Sequence, residues 1–294
     1  MRRLIVNADD FGFTRGVNAG ILRAFERGVL TSATLMANGD AFDEAVAMAK
    51  ANPRLGVGVH LVAVGGRPVA APSEIPSLVD ADGLLPRTLT DLIKMLARGR
   101  VRAEHIEREF AAQVGRVRRA GVAPTHLDSH KHSHTQPLVM TALARVADAF
   151  NIRAVRNPFE SWRAPLITGK AARARRGVYL KQAMMSAAVA PRARAFQRIA
   201  REHGLRAPDF FCGVRLTGLL DAEAVRRVVE GLRDGTTELM CHPALYDDEL
   251  EQAATRLKRE RQHELEALTD ESVRRSVNAQ GVRLINYQEL IEHV

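Results

Sequence analysis

Four polar clusters in the sequence hold residues able to do chemistry. Asp9 and Asp10 are adjacent carboxylates, and His60 closes the run Val57-Gly58-Val59. Residues 125–134 hold four of the ten histidines, His126, His130, His132 and His134, with Asp128 among them. His242 ends the run Glu238-Leu239-Met240-Cys241, just before Pro243. Each cluster alone has an ordinary explanation: a carboxylate pair caps a turn, a histidine sits satisfied at a strand end, a polar loop collects histidines. Together they point to a metal site, because histidine is the commonest metal ligand. One carboxylate and two imidazoles make a three-ligand site with open positions, the catalytic arrangement. Such a metal polarises a carbonyl and lowers the pKa of its water to about 7. A carboxylate that is not a ligand can take the water's proton, and a separate histidine can protonate a departing amine. That inventory suits hydrolysis of an amide or ester.

For the clusters to meet, each must sit at the same end of a different strand. Leu4-Ile5-Val6 is an apolar run stopped by Asn7-Ala8-Asp9-Asp10-Phe11-Gly12, which reads as a buried strand ending in a loop. Successive strand residues face opposite ways, but at such a break both carboxylates can turn to one site. Helical spacing follows over 17–28, then a strand at 31–36, a helix at 42–50 and a strand at 55–61. Further strand-like runs fall at 125–128, 152–156, 211–214, 238–241 and 282–285, and further helices at 89–97, 104–120, 137–150, 222–233 and 250–268. Strand and helix in alternation argue for a parallel sheet with right-handed crossovers. Eight such strands predict an α/β fold, an irregular (β/α) barrel, with a doubly wound open sheet as the alternative. In barrels the site is built at the C-terminal ends of the strands, where these clusters fall. Residues 63–88, rich in Pro, Gly, Ser and Asp, form a connection long enough for a lid or binding loop.

A length of 294 residues predicts one domain over 1–294. With 46% hydrophobic and 26% charged residues, disordered and fibrous classes are excluded. No apolar run approaches the about 20 residues of a membrane span, and the N-terminal run turns polar too early for a signal peptide. Cys212 and Cys241 make no CxxC pair, so neither a disulfide framework nor a cysteine zinc site is expected. The chain reads as cytoplasmic. Its net charge of +9 is concentrated at residues 163–206, where eleven basic residues meet one acid, Glu202. Inside that excursion, 177–180 and 183–190 are apolar, interrupted by Lys181 and Gln182. Basic residues flanking a short apolar helix suit an anionic membrane surface, with a solvated helical excursion as the plainer alternative. Phosphates of nucleic acid would also suit the charge. Only Tyr179 and Phe196 are there to stack bases, however, so nucleic acid is a disfavoured partner.

These motifs resemble the YdjC-like carbohydrate deacetylase family, a relative of the NodB-type polysaccharide deacetylases. Asn7-Ala8-Asp9-Asp10-Phe11-Gly12 is similar to the family's opening motif and Gly58-Val59-His60-Leu61 to its second. Thr125-His126-Leu127-Asp128-Ser129-His130 with His132 is similar to the third, and Glu238-Leu239-Met240-Cys241-His242-Pro243 to the late His-Pro motif. The likeness runs from Leu4 to Leu284-Ile285-Asn286-Tyr287. It implies an irregular (β/α) barrel that removes the N-acetyl group of an amino sugar, giving the free amine and acetate. It also implies one divalent metal ion held by Asp10, His60 and His130, with Asp9 as general base and His242 as general acid. His126, Asp128, His132, Arg156 and Glu160 are expected to contact substrate or support the ligands. Asp128 is read as orienting a ligand, because a metal-bound histidine needs an acceptor for its other nitrogen.

Within the family the chain is similar to the HpnK branch associated with hopanoid biosynthesis. The likeness rests on residues 31–36 with Ala37-Asn38-Gly39, on Arg156-Asn157-Pro158-Phe159-Glu160 and on the basic segment. The branch implies a lipid-linked substrate, the N-acetylglucosaminyl group of a bacteriohopane tetrol, met at the inner face of the membrane. Deacetylation of soluble chitooligosaccharides, a metal-dependent phosphoesterase drawing on Arg156 and Lys131, and a non-catalytic glycan- or lipid-binding protein are the alternatives. Ligand chemistry favours Zn2+, since Mg2+ prefers oxygen donors, whereas the resemblance implies Mg2+. An aromatic content of 5% does not favour a long sugar-stacking groove, so one or two sugars are expected, with Trp162 as a candidate apolar contact.

Overall fold

Strand β1 (Arg2–Phe11) is the axis of a parallel sheet, pairing with β6 (Gly235–Cys241) along one edge and with β7 (Arg283–Leu284) and β2 (Ser32–Leu35) in succession along the other. The computed structural model describes residues 1–160 and 169–292, so Trp162 and the start of the basic segment lie outside the described residues. The other strands are β3 (Gly56–Leu61), β4 (Leu127–Ser129) and β5 (Phe210–Cys212). Their order is β4-β3-β2-β1-β6-β5, with β7 beside β1.

The sheet is curled into an irregular barrel. Beyond β4, single bridges join Leu127 to Val155 and Ala154 to Arg206. Four residues later, Phe210 begins β5, which pairs with β6 at the opposite edge. Four residues span at most about 14 Å, so Arg206, bridged through 154–155 to β4, lies within that distance of β5. The Asn157 side chain donates to the Pro208 carbonyl at 3.3 Å across the same closure.

Alternation along β1 separates inside from outside. Leu4, Val6 and Ala8 join the large apolar cluster shared with the helices. Ile5 faces the other way and packs with Ala154, Ile285, Tyr287 and Leu290, forming a small apolar floor. Asn7 and Asp9 continue the inward row above that floor.

Helices α1 (Arg15–Arg27) and α2 (Phe42–Ala51) connect the first three strands, and α3 (Leu89–Ala97) and α4 (Ala103–Arg119) lead to β4. α5 (Pro137–Ala149), α6 (Lys170–Ala174), α7 (Arg176–Val189) and α8 (Ala193–Glu202) precede β5, and α9 (Ala222–Glu230) precedes β6. α10 (Asp248–Gln252), α11 (Arg259–Thr269) and α12 (Glu271–Ala279) lead to β7, and α13 (Tyr287–Glu292) follows it. Thr14 caps α1 by accepting from the Val17 amide at 3.2 Å.

Three sequence expectations are corrected. The first strand does not stop at Asn7 but runs to Phe11, because it stays paired with β6 as far as Ala8 and with β2 as far as Phe11. Residues 152–156 form single bridges and no strand. The helix expected at 250–268 is two: Lys258 Nζ donates to the carbonyls of Leu250, Glu251 and Ala253 at 2.9, 2.6 and 2.6 Å, satisfying the end of α10. The long connection at 63–88 is tied to α4, where Glu109 accepts from the Val69 and Ala70 amides at 2.8 Å each.

Candidate active site

The two leading carboxylates reach one cavity through a bulge in β1. Ala8 pairs with Ala33 and Phe11 with Leu35, so β1 carries one extra residue there. Asp10 absorbs it with a left-handed backbone, φ 68°, which Asp tolerates better than most residues. Asp9 and Asp10 therefore both line a cavity of about 910 Å³ at the C-terminal end of the sheet.

His60, at the end of β3, and His130, just after β4, converge on Asp10. His60 Nε2 lies 3.3 Å from His130 Nδ1 and 3.5 Å from Asp10 Oδ1, and His130 Nδ1 lies 3.2 Å from that same oxygen. Asp10 Oδ1 is buried and accepts no well-oriented hydrogen bond among the described residues. Three donor atoms this close, one of them a bare carboxylate oxygen, fit a divalent cation. The far side of His60 is fixed: Nδ1 lies 2.7 Å from Asp128 Oδ1, and Thr34 donates to Asp128 Oδ2 at 3.1 Å. Behind His130 the chain turns through Lys131 and His132, both left-handed, φ 54° and 51°.

Arg156, fully buried, is the hub beneath. Nη2 and Nη1 donate to Asp9 Oδ1 and Oδ2 at 2.6 and 2.9 Å, Nη1 lies 2.7 Å from Asp128 Oδ2, and Nε donates to Glu238 Oε1 at 2.9 Å. Asp9, His60 and Asp128 also lie within metal-binding reach of one another. There the Arg156 guanidinium already meets both carboxylates. Tyr287 donates to the other Glu238 oxygen at 2.6 Å and stacks on His126 with ring centres 3.6 Å apart. The His126 ring fills the space over Gly58, where a Cβ would come within 2.6 Å of it. Burial drives the His126 pKa down to about 3, so its ring is neutral.

Charge balance around this centre also favours a cation. Asp9, Asp10, Asp128 and Glu238 are buried against two buried guanidinium groups, Arg156 and Arg261, the latter donating to Asp10 Oδ2 at 2.6 Å. Without another cation the deficit falls on protons. Burial works against a charged His60, but Asp128, Asp9 and Asp10 outweigh it and raise its pKa to about 9. Burial raises Glu238 to about 7, against the pull of Arg156 and Tyr287. Asp10 is held well below the carboxylate range, because Arg261, His130 and His60 together overcome its burial.

His242 enters from the end of β6, with Nε2 3.9 Å from Asp9 Oδ2 and Nδ1 3.8 Å from Glu264 Oε2. Glu264 on α11 accepts from the His242 amide at 2.6 Å and the Gly218 amide at 2.8 Å, tying two cavity loops to one carboxylate. α1 packs directly on the His242 loop, and a Cβ on Gly20 would stand 2.3 Å from Ala244 Cα.

Asp9, Asp10, His60, His130, His132 and His242 thus line one cavity. Asp128, Arg156 and His126 lie in the barrel interior and outside the cavity lining. Glu160 is committed elsewhere, accepting from the Gly213 amide at 2.6 Å and Arg215 Nε at 2.8 Å. His134 turns away, with Nδ1 2.5 Å from Ser129 Oγ. Sequence reasoning gave no role to Glu238, Tyr287, Glu264 or Arg261. Glu238 carried a signal, an acid inside an otherwise apolar strand; the other three sit in ordinary sequence.

The family model described as YdjC-like protein matches residues 3–279. A carbohydrate deacetylase of Geobacillus stearothermophilus is 37% identical over 289 residues, 98% of each chain. A chitooligosaccharide deacetylase of Salmonella paratyphi B is 34% identical over 287 residues, 96% of each chain. A crystal structure from Enterococcus faecalis V583, named for cellobiose-phosphate cleavage, superposes with a TM-score of 0.78 at 26% identity, covering 98% of each chain. With the motifs, the curled sheet and near full-length relatives in agreement, the chain belongs to the YdjC-like family.

Proposed function

We propose that the protein is a metal-dependent hydrolase that removes the N-acetyl group from an amino sugar. The observation that carries this reading is the triangle of Asp10 Oδ1, His60 Nε2 and His130 Nδ1, flanked by Asp9 and His242 across one cavity. Those three residues would hold the ion; two nitrogens and one oxygen suit Zn2+, and Mg2+ follows from the family likeness. The chemistry a divalent ion supplies there is Lewis acidity, polarising the acetyl carbonyl and acidifying water. Asp9, held in place by both Arg156 nitrogens, accepts the proton of the attacking water. As the C–O bond forms and the C–N bond breaks, His242 Nε2 delivers a proton to the leaving amine, with Glu264 fixing the ring from behind. Acetate and the free amino sugar remain. A non-catalytic binding protein would need neither this base nor this acid.

We assign the substrate to the lipid-linked class, the N-acetylglucosaminyl group of a bacteriohopane tetrol, on the likeness to the hopanoid branch and on the basic segment. Such a substrate places the work at the inner face of the membrane. No helix among the described residues is long and apolar enough to cross one. Soluble chitooligosaccharides are the second reading, favoured by the name of the Salmonella relative. Acetate release from the glycolipid in detergent, beside soluble chitobiose and with and without chelator, tests both. Chelator-sensitive release from the glycolipid supports the first reading, and release from chitobiose alone the second. Acetate release from neither substrate, with phosphate release from a sugar phosphate ester, would overturn both.

A further inference from the structure

Helix α7 turns an apolar face outward at the edge of the cavity. It buries Tyr179, Gln182 and Ser186, three positions on one side. On the outer side Leu180, Met184 and Met185 are 60%, 67% and 57% exposed, three of the five exposed large hydrophobic side chains among the described residues. Their spacing sets them together along the helix. Arg176 and Lys181 are exposed within the same stretch, and neither has an acidic partner among the described residues. Two neighbouring cations are neutralised: Arg173 and Arg175 pair with Glu223 and Glu260 at 2.7 and 3.1 Å. The helix is tied to the cavity wall, since Gln182 Nε2 donates to the Thr217 carbonyl at 2.8 Å and Thr217 lines the cavity.

We propose that this face of α7 docks on an anionic lipid bilayer and holds the cavity beside the bilayer surface. The proposal rests on the reading of a lipid-linked substrate, and it names the surface that brings enzyme and lipid together. Leu180, Met184 and Met185 enter the boundary between headgroups and acyl chains, while Arg176 and Lys181 stretch to the lipid phosphates. Charge selects this occupant over a second copy of the chain. A two-fold contact through the same face would set Arg176 and Lys181 against their own equivalents with no acid between them.

The test is co-sedimentation with vesicles of phosphatidylglycerol and phosphatidylcholine in equal parts, beside vesicles of phosphatidylcholine alone. The wild-type protein should sediment with the first and not the second. Leu180→Ser/Met184→Ser/Met185→Ser and, separately, Arg176→Glu/Lys181→Glu should each weaken binding at least about tenfold. Both variants should keep the wild-type circular dichroism spectrum and Tm, which shows that they fold. Wild-type binding that neither variant weakens, or no binding to anionic vesicles, would overturn the proposal. So would a wild-type dimer in light scattering that the serine variant dissolves. Vesicle binding without acetate release from any substrate would leave the docking surface standing and remove the deacetylase reading. Acetate release with no vesicle binding would do the reverse.

Discussion

The Arg156 guanidinium meets Asp9 with two parallel hydrogen bonds, Nη2 to Oδ1 at 2.6 Å and Nη1 to Oδ2 at 2.9 Å, in a buried setting. A buried, two-pronged contact of this kind fixes the orientation of the carboxylate as well as its position. It leaves Asp9 facing His242 across 3.9 Å, the flank where an amide would have to lie.

Asp9→Asn keeps the shape and removes the proton acceptor. Turnover should fall by about 10²–10⁴-fold, the usual contribution of a general base, with KM little changed. Metal binding at Asp10, His60 and His130 should survive, as calorimetric titration would show. Retained turnover would take Asp9 out of the mechanism.

Tyr287→Phe tests the support below that pair. The hydroxyl donates to Glu238 at 2.6 Å, and its loss leaves a buried carboxylate short of a donor. A hydrogen bond to such a group is worth about 1.5–3 kcal/mol, read as a lower midpoint in urea. Activity should fall as well, because Glu238 is one of the three anchors of Arg156.

Glu238 also gives the metal-free protein a pH signature. Its folded pKa of about 7 stands above the ordinary 4.5 because burial penalises the charge. A raised folded pKa means that the native state binds more protons between these values. The contribution to stability is therefore complete below about 4.5 and lost as pH rises through about 7. Glu238→Gln should flatten that decline, measured as Tm against pH in the presence of chelator. Parallel slopes in the two proteins would show that Glu238 does not titrate there.

Much of this site was legible because its chemistry sits at strand ends. The opening Asp9-Asp10, His60 and His242 each close an apolar run and His130 follows a strand-like one, and a parallel sheet carries such ends to one side. The bulge that aims Asp10 was not legible, since it depends on register with β2 and not on β1 alone. Nor was the commitment of Glu160, whose partners Gly213 and Arg215 lie more than fifty residues on. From the sequence Arg156 reads as a substrate contact or a support for the ligands, but its three carboxylates come from β1, β4 and β6 and meet only when the sheet curls. Arg261 and Glu264 occupy a helix whose charges look like any solvated face; burial alone marks them.

Metal binding should release protons. Without metal, His60 titrates at about 9 and is charged at neutral pH, so an ion must displace its proton. At pH 8 His60 should contribute about one proton per ion. Apparent affinity should accordingly weaken as pH falls, by about tenfold per unit where one proton is displaced. Calorimetry in buffers of different ionisation enthalpy counts these protons. No proton release at pH 8 would show that His60 is already neutral in the metal-free protein.

Gly20→Ala probes how α1 supports His242. The added Cβ would stand 2.3 Å from Ala244 Cα, a backbone atom that cannot rotate away, two residues beyond His242. Overpacking of this kind costs about 1–3 kcal/mol, and it must shift either the helix or the loop. If the loop moves, His242 leaves its position between Asp9 and Glu264, and kcat drops while metal affinity at Asp10, His60 and His130 is preserved. If the helix moves instead, stability falls and kcat holds. Glu264→Gln probes the same histidine from its other side. It keeps an acceptor for only one of the two amides, which meet different oxygens of Glu264, and it withdraws the negative charge 3.8 Å from Nδ1. A lower kcat, with the alkaline limb of the pH–rate profile moved to lower pH, would show that Glu264 acts on the acid itself. An unchanged profile would confine Glu264 to holding the loop.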